Sequence, residues 1–142
     1  MNRIDGAVGV IRTAKGNLAI AIVWCDRPTT MGAWILKPNP WKAVVKYENP
    51  KVDGNSDYQI VDITSPEPQW QISSGSAKLD PNVDYMAEAW PGDGKEGIFG
   101  QVGFTLNDVQ NLKPDQVWLG VPGSAVTWNY FLEFAKKDVC PF

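Results

Sequence analysis

Residues 76–97 read SAKLDPNVDYMAEAWPGDGKEG, and the alternation inside this stretch decides the fold class. In an extended chain Tyr85, Ala87 and Ala89 share one face, and Met86, Glu88 and Trp90 share the other. The small apolar face suits a tightly packed sheet interface, so the segment reads as a central strand. A proline turn, Leu79-Asp80-Pro81, leads into it. Pro91-Gly92, followed by Gly94 and Gly97, leads out.

The rest of the chain repeats this grammar. Gly6–Ile11 (GAVGVI) and Leu18–Cys25 (LAIAIVWC) are β-rich runs separated by TAKGN. The Gly16-Asn17 pair in that link tolerates positive φ, so the two runs predict a β-hairpin. Further β-like segments are GAWILK (32–37), KAVVKYE (42–48), YQIVDIT (58–64), QWQIS (69–73), GIFGQVGFTL (97–106) and QVWLGV (116–121), divided by Pro, Gly, Asn and Asp. In YQIVDIT neither face is cleanly polar. Strands at this spacing predict a mainly-β sandwich occupying residues 1–142 as one domain. Near the end Trp128, Phe131, Leu132, Ala135 and Val139 follow helical spacing after a cap at Ser124 or Thr127, which predicts a short C-terminal helix. VTWNYFLEF also reads as a strand, because it is rich in aromatic and β-branched residues.

Leu79 to Ala89 resembles the Leu-x-Pro-x-x-x-Tyr-x-Val-x-Val pattern of fibronectin type III domains, with Ala87 and Ala89 in place of the two valines. Ile22-Val23-Trp24-Cys25-Asp26-Arg27-Pro28 is similar to the second strand of that family, with its core tryptophan and following proline. The resemblance implies a two-sheet antiparallel Greek-key sandwich of fibronectin type III-like or immunoglobulin-like type. It implies that Leu79 caps the core, that Pro81 stiffens the turn, and that the Tyr85 hydroxyl bonds back to upstream backbone where the chain crosses between sheets. Residues 112–142 would then form an extension beyond the fibronectin-like part. Leu112-Lys113-Pro114-Asp115-Gln116-Val117-Trp118 is a competing corner, since it repeats the Leu-x-Pro start with an aromatic residue six positions on.

Composition narrows the function. The 142 residues contain no histidine, which removes the commonest general base and the commonest transition-metal ligand together. No Ser-His-Asp or Cys-His hydrolase can be built from this chain, so a non-catalytic role with no cofactor and no metal is expected. A small enzyme working through carboxylates alone remains an alternative, with Glu88 and Asp62 the carboxylates in apolar strand context. Glu88, on the outward face of its strand, is better explained by solvent. The formal charge of −3 leaves no basic excess for a phosphate backbone, so nucleic acid is not an expected partner. The longest apolar run, Leu18–Cys25, is far below the ~20 residues that span a bilayer. Met1-Asn2-Arg3 and the IDGAVGVIRT after it lack signal-peptide features, so the chain is either cytosolic or has lost a signal or anchor segment. The two cysteines, Cys25 and Cys140, predict a disulfide and a secreted or cell-surface location, against the alternative of two buried thiols.

Gly92-Asp93-Gly94-Lys95-Glu96-Gly97 fits G-x-G-x-x-G, yet a strand follows it where a dinucleotide site needs a helix, so it reads as a hairpin loop. Asp53-Gly54-Asn55-Ser56-Asp57 begins like a calcium loop, but Tyr58 and Thr64 stand where the EF-hand needs Gly and Glu. The sequence therefore favours a binding module whose ligand, protein or carbohydrate, contacts Trp90, Asp93, Lys95 and Glu96. Seven tryptophans are high usage, and indoles exposed on a sandwich face could stack on sugar rings. Trp24, Trp118 and Trp128 sit in apolar patterns and are expected to be buried. Trp34, Trp41, Trp70 and Trp90 border Pro, Gly or polar residues and are expected to be partly exposed.

Overall fold

The computed structural model describes residues 5–52, 57–92 and 97–140. The expected hairpin joins β1 (Gly6–Arg12) and β2 (Leu18–Trp24), in register from Gly6 opposite Trp24 to Arg12 opposite Leu18. The later strands are β3 (Met31–Lys37), β4 (Lys42–Asn49), β5 (Tyr58–Asp62), β6 (Gln71–Gly75), β7 (Tyr85–Pro91), β8 (Gly100–Phe104), β9 (Gln116–Gly120) and β10 (Gly123–Thr127). They form two antiparallel five-stranded sheets, with orders β10-β9-β1-β2-β5 and β6-β4-β3-β7-β8. β7 pairs with β3 rather than with its predecessor β6, the non-sequential pairing that separates a Greek key from a meander. A one-turn helix α1 (Leu106–Val109) follows β8. After β10 comes α2 (Trp128–Phe134), which runs on into a π-helical turn at Ala135–Val139.

The inner faces of the two sheets supply the main core. Val8, Val10, Ile20, Ile22 and Val61 of the first sheet meet Ile35, Val45, Tyr47, Ala87 and Val102 of the second, and all are buried. β7 alternates strictly, with Tyr85, Ala87 and Ala89 buried and Met86, Glu88 and Trp90 half-buried, because only one of its faces is covered. β1 and β2 are buried at almost every position, which the alternation rule alone does not explain. The reason is a second layer. Ala7, Ile11, Ala19, Ala21 and Val23 on the outer face of the first sheet pack against Val117, Phe131 and Ala135. Gly9 leaves room both for the neighbouring strand's side chain and for the helix: a Cβ there would stand 2.3 Å from Val117 Cγ1 of β9 and 3.3 Å from the Phe131 ring of α2.

The tail therefore closes over the sandwich. Tyr130 N–H donates to Thr127 Oγ1 at 3.1 Å, so Thr127 and not Ser124 caps the helix. The strand reading of VTWNYFLEF holds only for Val126 and Thr127, which end β10. That strand was not expected, since GSAVT carries little β-propensity; it forms because it pairs with β9 from Gly123–Gly120 to Thr127–Gln116. Cys25, just past β2, is disulfide-bonded to Cys140, just past the π-helical turn, with Cα atoms 5.4 Å apart. The bridge pins the helical layer to the strand it covers.

Two phenols fix the sandwich. Tyr85 Oη accepts the Asp80 N–H at 2.7 Å, and its ring lies beside Phe104 with centroids 5.8 Å apart. The crossing between sheets expected at this point lies elsewhere. The chain changes sheet between β5 and β6, so residues 76–84 carry it from the edge strand of the second sheet to that sheet's interior. Tyr47 Oη donates to the Ile63 carbonyl at 2.6 Å, tying the second sheet to the end of β5. Burial first, and then the negative charge of Asp62, push the Tyr47 phenol well above the ordinary tyrosine range. At the competing corner, Trp118 Nε1 donates across to the Gly103 carbonyl of β8 at 2.9 Å, well away from the Leu112-Lys113-Pro114 turn that precedes its own strand.

Candidate functional site

The outer faces of the two sheets differ. One lies under α2, and the other carries Trp34, Lys46, Glu88 and Trp90. Alternation turns these four side chains outward, because their neighbours Ala33, Ile35, Val45, Tyr47, Ala87 and Ala89 point into the core. Strand register then brings them together: Trp34 stands opposite Glu88 on β7 and opposite Lys46 on β4, while Gly32 stands opposite Trp90. A Cβ on Gly32 would lie 2.4 Å from Trp90 Cζ2, so the missing side chain is what lets the indole lie down across β3.

The Trp34 and Trp90 rings are 4.7 Å apart with an interplanar angle of 57°. Lys46 Nζ sits 5.7 Å from each ring centroid, within cation–π range of both. Trp34 Nε1 donates to Glu88 Oε1 at 2.8 Å. Glu88 is thus half-buried and engaged by an indole, where solvent was the expected environment. A groove of about 320 Å³ runs beside this cluster, continued by Pro91, Gly97 and Ile98. On the other side of Trp90 a cleft of about 290 Å³ is walled by Thr30, Glu48, Asn49, Gln71 and Gly92. Chemically the surface offers indole area, one ammonium and one carboxylate already hydrogen-bonded to an indole.

The expected site residues fall in different places. Trp90 belongs to this cluster. Asp93, Lys95 and Glu96 lie outside the described residues, as do Asp53, Gly54, Asn55 and Ser56 of the calcium-like motif. Asp57 is described, 3.7 Å from Lys136 Nζ on the surface. Leu79, Pro81 and Tyr85 are at the opposite end of β7 from Trp90. Asp62 is buried, and its carboxylate accepts from Thr64 N–H, Ser65 N–H and Asn17 Nδ2, which makes it the organiser of the turn after β5. Among the described residues no group of three or more His, Cys, Asp or Glu is arranged to hold a metal ion, and no helix is long and apolar enough to cross a membrane.

The tryptophans sort differently from the expectation at three positions. Trp24 is buried beside Phe99, Trp34 and Trp90 are half-buried, and Trp41 is 54% exposed, as expected. Trp70 is only 4% exposed, because the turn in which its N–H donates to the Glu67 carbonyl folds it into the main core. Trp118 and Trp128 are half-buried, each lying at the rim of a layer. Comparisons with protein-family models, with curated proteins and with solved structures returned no match to the chain.

Proposed function

We propose that this chain is a non-catalytic binding module of extracytoplasmic type, whose recognition surface is the outer face of β7, β3 and β4 around Trp90. The observation that carries this reading is the asymmetry of the two outer sheet faces: one is sealed by α2, while the other presents the Trp34–Lys46–Glu88–Trp90 cluster. Tryptophan is among the residues enriched in binding hot spots, and two half-buried indoles meet here. Asp93, Lys95 and Glu96 follow the same strand after Gly92 and belong to the same proposal. The neighbour orders β1-β2-β5 and β3-β7-β8 support a fibronectin type III-like or immunoglobulin-like ancestry, since they parallel the A-B-E and C-F-G orders of such sandwiches. An intrachain disulfide supports a secreted or surface-held location.

A protein surface fits the cluster better than a sugar ring does. The Trp34 and Trp90 rings are tilted against each other, Lys46 lies over both, and Trp90 packs on Gly32, so a pyranose would have to displace protein contacts to stack there. Trp41, at 54% exposed, is the indole open to carbohydrate, and that second reading rests on it alone. The test is affinity capture from the extracellular proteins of the native source, followed by titration of the captured partner against variants. Trp90→Ala and Lys46→Ala are each expected to weaken binding about tenfold or more, on the scale of roughly 1–2 kcal/mol for hot-spot truncation, with the melting temperature little changed. Unchanged affinity in both variants would remove the proposed surface. Saturable quenching of tryptophan fluorescence by a soluble glycan, abolished in Trp41→Ala, would favour the carbohydrate reading.

A further inference from the structure

At the end of the sandwich away from the disulfide, a cavity of about 500 Å³ opens between the β1–β2 turn, the end of β5, the segment before β7 and helix α1. The volume falls within the roughly 300–1,000 Å³ usual for small-molecule sites. Its apolar wall is made by Leu18, Ile63, Leu79, Pro81 and Leu106. Its charged lining residues are Arg12 and Lys78, and no Asp or Glu lines it, although the chain as a whole is acidic.

Arg12 is fixed there by neutral groups. Nη1 donates to the Gly16 carbonyl at 2.7 Å, and Nη2 donates to the Val109 and Gln110 carbonyls at 3.0 and 2.9 Å. Carbonyl dipoles orient a guanidinium without cancelling its charge, and among the described residues no carboxylate forms an ion pair with Arg12 or Lys78. A partly open apolar surface whose lining charges are both positive and not ion-paired favours an apolar ligand that carries an anionic group.

We infer that this cavity binds a small amphipathic carboxylate, with its apolar body against Leu18, Ile63, Leu79 and Leu106 and its anionic head toward Arg12 and Lys78. The site is independent of the recognition surface, which lies at the other end of β7.

Octanoate is the probe, with octylammonium as its charge-reversed counterpart, each titrated into the ¹⁵N-labelled protein and followed by amide shifts. Octanoate is expected to give saturable shifts at Leu18, Ile63, Lys78 and Leu106, while octylammonium leaves them in place. Lys78 is exposed, so Lys78→Glu keeps the fold and is expected to weaken octanoate several-fold. Asn107→Trp, at an exposed position on the cavity wall, is expected to abolish the shifts by filling the space. Equal responses to both amphiphiles, shifts that never saturate, shifts centred on Trp90, or an affinity unchanged by Lys78→Glu would each overturn the inference.

Discussion

Tyr47 and Tyr85 are both buried phenols, but they use their hydroxyls in opposite senses, one donating to Ile63 and the other accepting from Asp80. The raised Tyr47 pKa means that the native state holds a proton which the unfolded chain releases near its ordinary value of about 10. Stability from this group is therefore intact below about pH 10 and is lost as pH rises above it. Tyr47→Phe is expected to flatten that alkaline loss while costing about 1–2 kcal/mol near neutrality, because the Ile63 carbonyl loses its donor. Urea midpoints measured for both proteins from about pH 8 to about pH 11 check this; parallel slopes would refute it. Tyr85→Phe is expected to lose about 1–3 kcal/mol, because the Asp80 backbone N–H is left without its acceptor. A denaturation midpoint equal to that of the parent would show that the Tyr85–Asp80 bond does not hold the turn before β7.

Helix α2 is the element on which the first sheet depends for its second cover. Phe131 is fully buried between Gly9, Val117 and the strand alanines. Phe131→Ala is expected to cost about 3–5 kcal/mol, the range for deleting a core aromatic, with protection of the β1 and β2 amides falling in hydrogen exchange. Undiminished protection would mean that the helix contributes little to that face. The same element shows what the sequence could reveal. Helical spacing at Trp128, Phe131, Leu132 and Ala135 was legible because one face of a helix must be apolar whatever it covers. GAVGVI and LAIAIVW were legible as strands, yet their lack of alternation pointed only to two covered faces; the cover comes from more than a hundred residues downstream. GSAVT was illegible because its strand character is conferred by β9. Trp34, Lys46, Glu88 and Trp90 could each be placed on an outward face by alternation. Their meeting depends on the register of β3 against β4 and β7, which local sequence does not encode.

At the scale of the whole molecule, the disulfide closes a loop with a sequence separation of 115. In the chain-entropy model such closure is worth roughly 4–5 kcal/mol, acting through the unfolded state. The Cys25→Ser, Cys140→Ser double variant is expected to lose stability on that scale while keeping the sandwich, since most core contacts involve neither cysteine. Circular dichroism with urea titration checks both halves, and a midpoint unchanged from the oxidised parent would show that the cross-link is energetically idle. The bridge also determines how the protein would respond to tension. A pull applied between the chain before β1 and the chain after Cys140 passes through the two sulfurs, so the backbone of residues 26–139 lies outside the covalent load path. The backbone tension falls on β1 and β2, whose pairing with β9 and β5 resists it. Since Cys25 N–H donates to the Asp5 carbonyl at 2.7 Å, the two loaded points begin side by side and the hairpin is peeled open pair by pair from that end. At roughly 3.3–3.6 Å per extended residue, only the short length of chain ahead of Cys25 can be paid out. The second sheet, with its recognition surface, lies wholly within the bridged segment, so none of its strands is pulled directly.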